Sequence, residues 1–115
     1  MANTFKVVTK AGVTSADVIY TVAGSTTTVI LGLILGNTTT SQVTATVTLD
    51  TNTSNRAGAN DEANQAVELV TNAPIPSGSS LELLAGNKVV MEATDALKLT
   101  ASGATDIAVS IMEIT

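Results

Sequence analysis

The chain has 115 residues, five basic against ten acidic side chains for a net charge of −5, no cysteine, no histidine, and two aromatic residues, Phe5 and Tyr20. This composition excludes disulfides, zinc sites built on cysteine or histidine, and both cysteine nucleophiles and histidine bases. An acidic chain whose basic residues (Lys6, Lys10, Arg56, Lys88 and Lys98) are scattered also offers no patch for phosphate, so no nucleic-acid partner is expected.

Threonine is the commonest residue, and Thr and Val, both branched at Cβ, favour strands over helices. With so few rings, the core must be built from Val, Ile, Leu and Ala, which bury less area apiece. Stability is therefore expected to draw on sister subunits.

In chain order, Met1–Lys10 lacks the apolar centre of a signal peptide. Ala2–Lys10 reads as a segment ahead of the first regular strand, able to reach onto a neighbour. Ile19–Val22 is a strand closed by the turn Ala23-Gly24-Ser25. Val29–Leu35 is almost continuously apolar but too short to span a bilayer, so no membrane partner is expected and the chain should be soluble where it is made. It suits a strand covered by the core on one face and a neighbour on the other, or a central strand in which Gly32 marks a bulge. Gly36-Asn37 ends it.

Ser41–Asp50 is the clearest strand, with Val43, Ala45, Val47 and Leu49 on one face and Gln42, Thr44, Thr46 and Thr48 on a wet one. Thr51–Asn64 has no apolar periodicity and reads as a surface loop, with a helical turn near Asp61–Gln65. Asn72–Gly78 carries both prolines, Pro74 and Pro76, and reads as an extended connection across an edge or end.

Three alternating runs follow. Leu81 and Leu83 oppose Ser80 and Glu82, Leu97 and Leu99 oppose Lys98, and Ile107, Val109 and Ile111 alternate with Ala108, Ser110 and Met112. Gly86-Asn87 signals a two-residue hairpin and Ser102-Gly103 punctuates the last pair. Short strands at regular spacing predict an all-β fold: one antiparallel β-sandwich or jelly-roll-like domain of eight or nine strands over residues 1–115, with 51–64 as a long surface loop.

Residues able to carry chemistry are few. Asp50, Asn52, Ser54 and Asp61 fall at positions one, three, five and twelve of a calcium-loop spacing. Asn55 stands where that loop needs Gly, Asp61 is shorter than the usual Glu, and strands rather than helices flank the segment, so a solvated polar loop is the expectation. Asp61-Glu62 are adjacent on a loop and do not converge on one bond. Glu68, Glu82, Glu92 and Glu113 are expected in strands, facing water or a neighbouring subunit.

No Gly-x-Ser-x-Gly elbow is present, and Gly78–Lys88 has neither phosphate-loop spacing nor a following helix. Asn37-Thr38-Thr39 and Asn52-Thr53-Ser54 are chance sequon matches in a chain without a secretion signal. Phe5 and Tyr20 lie outside any loop cluster, which disfavours a glycan platform. Tyr20 is expected in the core or an interface with its hydroxyl at the rim. No enzyme activity and no cofactor are expected.

Two stretches carry a likeness. Ile19–Leu49 reads IYTVAGSTTTVILGLILGNTTTSQVTATVTL, and Asn72–Thr115 reads NAPIPSGSSLELLAGNKVVMEATDALKLTASGATDIAVSIMEIT. Together they resemble a family of small virion structural proteins of cyanophages and other marine tailed phages. The shared marks are Tyr20-Thr21-Val22 with its Gly turn, the Pro-Ile-Pro-x-Gly-Ser-Ser-Leu segment from Pro74 to Leu81, and the closing Met112-Glu113-Ile114-Thr115. Here Ala23-Gly24 lacks the Pro that often precedes that turn, and Met91-Glu92-Ala93 replaces Leu-Glu-Ala.

The resemblance implies a virion component assembled in the host cytoplasm, with no catalytic residues to carry over. It does not imply which part of the particle; the ring-poor apolar composition and the wet threonine face favour a capsid decoration or cement protein, a homotrimer or other homo-oligomer bound to the major capsid protein or other virion proteins. A tail, neck or fibre-base component is the alternative within the particle. A small glycan- or ligand-binding sandwich is the alternative from another class.

Overall fold

A computed structural model describes residues 2–51, 65–84 and 87–115. Among them are nine strands: β1 (Asn3–Val13), β2 (Ala16–Thr21), β3 (Thr27–Asn37), β4 (Val43–Asp50), β5 (Ala66–Ile75), β6 (Ser80–Leu83), β7 (Val89–Met91), β8 (Ala96–Ala101) and β9 (Thr105–Ile114). They form two antiparallel sheets, as the alternation predicts. The first runs β1-β9-β3-β6, with β7 also paired to β3, and the second runs β2-β8-β4-β5.

Alternation places one face of each strand inward. Val43, Ala45, Val47 and Leu49 of β4 and Leu97, Leu99 and Ala101 of β8 meet Ile30, Leu33 and Leu35 of β3 and Ile107, Val109 and Ile111 of β9. These are aliphatic side chains, almost all fully buried, so the core is built without rings. No helix among the described residues is long and apolar enough to cross a membrane.

Several details differ from the sequence reading. Ala2–Lys10 is not a free arm: nearly all of it belongs to β1, which pairs with β9 from Asn3↔Ile114 to Lys10↔Ile107. Its own charges obscured this, because Lys6 and Lys10 occupy the inward parity of the strand. Gly36 and Asn37 end β3 as expected, but as its last paired residues and not as a turn after it, and Asn37 is buried. Its side chain explains why: Nδ2 donates to the carbonyls of Ser41 and Ile75, both at 2.8 Å, while Oδ1 accepts from the Thr39 amide and hydroxyl, both at 2.8 Å. Four bonds satisfy a buried amide and tie the end of β3 to the link before β4 and to the end of β5, in the other sheet.

Asn72–Ile75 belongs to β5, the edge strand of the second sheet, with Pro74 opposite Thr44. The crossing between sheets begins after it, at Pro76. Leu84 and Asn87 are joined by a backbone bond of 3.2 Å, but β6 and β7 do not form a hairpin. Both pair with β3, β6 with Leu33–Gly36 and β7 with Thr28–Ile30, as one interrupted edge. The interruption faces the register shift of β3 between Ile30 and Gly32, where the bulge expected at Gly32 lies. The 52–64 segment, including the helical turn expected near Asp61–Gln65, lies outside the described residues apart from Gln65. Its base is closed by Thr51 and Gln65, whose amides each reach the other residue's oxygen, at 2.8 and 2.9 Å.

Candidate assembly surface

The two sheets present unlike faces to the outside. On the second sheet the outward residues of β4 are Thr44, Thr46, Thr48 and Asp50, all half-buried; beside them lie Ala96, Lys98 and Thr100 of β8 and, on β2, Ala16 and the exposed Val18. This is the polar face expected from the sequence.

The outward face of the first sheet is apolar. Register aligns Phe5, Met112, Val29 and Val90 in one row across four strands. A second row runs Thr9, Ala108, Ile34 and Glu82, and between them lie Val7, Ser110 and Gly32. Of six exposed large hydrophobic residues among the described ones, four sit here: Phe5 at 72%, Val7 at 64%, Val90 at 52% and Ile34 at 41%. Scattered exposed aliphatics are ordinary, whereas a contiguous row is the mark of a contact surface.

The face is also shaped. Ile34 stands between two hollows of about 420 and 430 Å³. Gly36, Ala108 and Asp106 help line one, and Gly32, Ser110 and Glu82 the other. Small residues at these outward positions leave room for side chains from a partner.

A polar cluster lies at one end of the inner space. Tyr20 Oη donates to Glu113 Oε2 at 2.5 Å and lies 2.8 Å from Thr28 Oγ1, while Lys6 Nζ meets Glu113 Oε1 at 2.8 Å. Glu113 thus does not face water or a neighbour as expected: its side chain is 17% exposed and tied within the chain. The register explains it, since Glu113 stands opposite both Thr4 and Thr28 on the inward parity of β9.

Lys6, and next Tyr20, hold the Glu113 carboxyl below its ordinary range by bonding its charged form. Burial, and next the bond to Glu113, push the Tyr20 phenol up to about 12. Tyr20 is half-buried at the rim of the core, as its sequence context suggested. Glu68 and Glu82 are exposed on β5 and β6, and Glu92 follows β7 rather than lying in a strand.

Of the calcium-spaced residues, Asp50 is described and pairs with Lys98 at 3.4 Å, a cation where a second carboxylate would be needed. Asn52, Ser54 and Asp61 lie outside the described residues, as does the Asp61-Glu62 pair. No group of three or more acidic, His or Cys residues among the described ones could hold a metal.

Sequence reasoning missed the apolar face, because it is made by register across strands distant in the chain. Its local signals were the alternation of Phe5 and Val7 with Lys6 and the unbroken apolar run Val29–Leu35, read as covered by a neighbour on its second face.

The described architecture is that of an all-β protein of two packed antiparallel sheets. No protein-family model matches the chain, and no curated protein matches it. Among solved structures, it is similar to a chain from Bacillus endospore appendages, described as a family of disulfide-linked pili, at 15% identity and a TM-score of 0.48, over 99% of this chain and 87% of that one. It is also similar to a chain of the IBDV viral particle at 10% identity and a TM-score of 0.39, over 96% of this chain. This chain spans 35% of that second one.

Proposed function

We propose that the protein is a non-enzymatic structural subunit of a tailed-phage virion, a capsid decoration protein that seats the outer face of its first sheet on an apolar patch of the major capsid protein. The observation that carries this reading is the contrast between the two outer faces, one largely apolar and hollowed, the other dominated by threonine and charge. A wall piece needs that contrast: one side to lose water on contact and one side to keep it.

The size of the face supports it. The 39 residues of β1, β3, β6, β7 and β9, at about 3.3 Å each on strands about 4.8 Å apart, give a face of roughly 600 Å², of the order of the ~800 Å² per partner of a standard interface. The resemblance of Ile19–Leu49 and Asn72–Thr115 to phage virion proteins supports the identity of the particle.

The test is quantitative mass spectrometry of purified particles, followed by reconstruction. On the order of hundreds of copies, lying on the shell with the Phe5–Val90 row against the capsid lattice, is the expected result. About six or twelve copies would move the protein to the neck, tail or fibre base. Absence from the particles would end the virion reading altogether.

A further inference from the structure

We infer that the free edge of β1 is a self-association site, pairing antiparallel with β1 of a second copy so that Val7 stands opposite Val7 and the two first sheets become one. The inference needs no virion; it follows from the edges of the sheets.

Sheet edges are usually blunted, by short length, proline, bulges or inward charges. Three of the four edges here follow that rule. β5 carries Pro74 and two register shifts, β2 is six residues long with a shift of its own, and β6 and β7 are fragments of four and three residues. β1 does not. Its one register shift lies beyond Lys10, beside Gly12; from Asn3 to Lys10 the register is unbroken, the strand lacks proline, and no described strand covers its far edge. Its inward charges are already neutralised within the chain, Lys6 by Glu113 and Lys10 by Asp17, each at 2.8 Å. The repulsion that would keep a second strand away is thereby weakened, while lysines set directly opposite each other still disfavour a register.

The pairing to β9 shows which groups are free. Ala2 and Thr115 exchange both backbone bonds at 3.0 Å. In an antiparallel ladder bonded pairs alternate, so even-numbered residues of β1 bond to β9. Phe5, Val7 and Thr9 therefore point their N–H and C=O groups to the open edge, where backbone donors and acceptors call for partners. These are also the residues whose side chains lie on the apolar outer face.

Charge selects the register. A two-fold pairing that sets Phe5 opposite Val7 places Lys6 against Lys6. One that sets Val7 opposite Thr9 places Lys6 against Lys10. Like charges directly opposite are unfavourable. Centring on Phe5 strands the second half of β1 without a partner. Centring on Val7 sets Lys6 against Val8 and Lys10 against Thr4, engages the strand from Thr4 to Lys10, and forms six backbone bonds through Phe5, Val7 and Thr9 of both copies. The joined sheet also doubles the apolar outer face.

Two experiments on the full chain test this. Light scattering should give a dimer or an even-numbered assembly of dimers. Val7→Pro removes one edge donor per copy without touching the ladder to β9, so it should weaken that association roughly 100-fold while the far-ultraviolet circular dichroism stays unchanged. Lys6→Pro, which removes a ladder donor to β9, is the control expected to damage the fold.

The second experiment uses the absence of native cysteine. Under mild oxidation Val7→Cys should cross-link to a dimer. Phe5→Cys and Thr9→Cys should each stay single alone and cross-link when mixed. A monomer, an assembly that Val7→Pro leaves intact, or cross-linking of Phe5→Cys to itself overturns the inference. Loss of the dimer would leave the virion reading standing, and absence from virions would leave the dimer standing.

Discussion

Two residues show how polar groups are made safe inside a small aliphatic core. Asn37 is 4% exposed, and its amide donates twice and accepts twice, so every strong bonding direction is used. Asn37→Ala leaves the Ser41 and Ile75 carbonyls and the Thr39 amide without that partner. The expected cost is about 3 kcal/mol in urea unfolding, the scale of buried polar groups losing partners.

Tyr20 is the other case, and as the sole tyrosine of a chain without tryptophan it reports on itself. Its phenolate absorbance should rise with a midpoint near 12 instead of 10.0. A proton held more tightly in the folded state means stability present below pH ~10 and lost as pH climbs toward 12. Glu113→Gln should lower that midpoint only part of the way, since burial is the larger cause.

Glu113 has the opposite sign. Its carboxyl is held below 4.5, so the stability it contributes is present above that value and lost as pH falls through its lowered range. The acid limb of a stability curve should be shallower for Glu113→Gln than for the native chain.

At the scale of elements, β4 and β8 are the hydrogen-bonded pair at the centre of the second sheet, and their inward leucines carry the packing. Leu99 is fully buried, and Leu99→Ala is expected to lower the unfolding free energy by about 3–4 kcal/mol, measured by denaturant titration. Where β8 turns into β9, Gly103 lies so close to the buried Val43 that an added Cβ would stand 2.8 Å from Val43 Cγ1. Gly103→Ala is therefore expected to cost about 1–3 kcal/mol by overpacking, and Val43→Ala in the same chain should recover part of the loss.

Elements with strict alternation (β4, β8 and β9) were legible from their own residues. β1 was not, because two lysines sit on its inward side and only Glu113 and Asp17, distant in the chain, make them acceptable there. β6 and β7 read locally as a hairpin because turn residues separate two apolar runs. Their actual partner is β3, and the break between them lies beside the register shift at Gly32.

For the whole molecule, the apolar face should matter to assembly and not to the fold of one copy. Phe5→Ser and Ile34→Ser alter exposed side chains, so each should change the unfolding free energy of the isolated chain by no more than about 0.5 kcal/mol. Binding to particles that lack the protein should fall by ~2 kcal/mol or more for the double variant, read by co-sedimentation. Thr46→Ser and Thr48→Ser on the opposite face should leave binding unchanged.

The order of residues along the chain determined the fold class, the inward face of the central strands and the aliphatic core, because β-alternation and branched side chains act over neighbours two apart. It also left no histidine or cysteine for chemistry. The tertiary structure alone decided which outer face is apolar, that Glu113 turns inward to Tyr20 and Lys6, and that β1 is left with an open edge. Those features come from register and strand order, which join residues about a hundred positions apart. The backbone energy of a strand is nearly the same whichever partner lies beside it, so local sequence is silent on that choice.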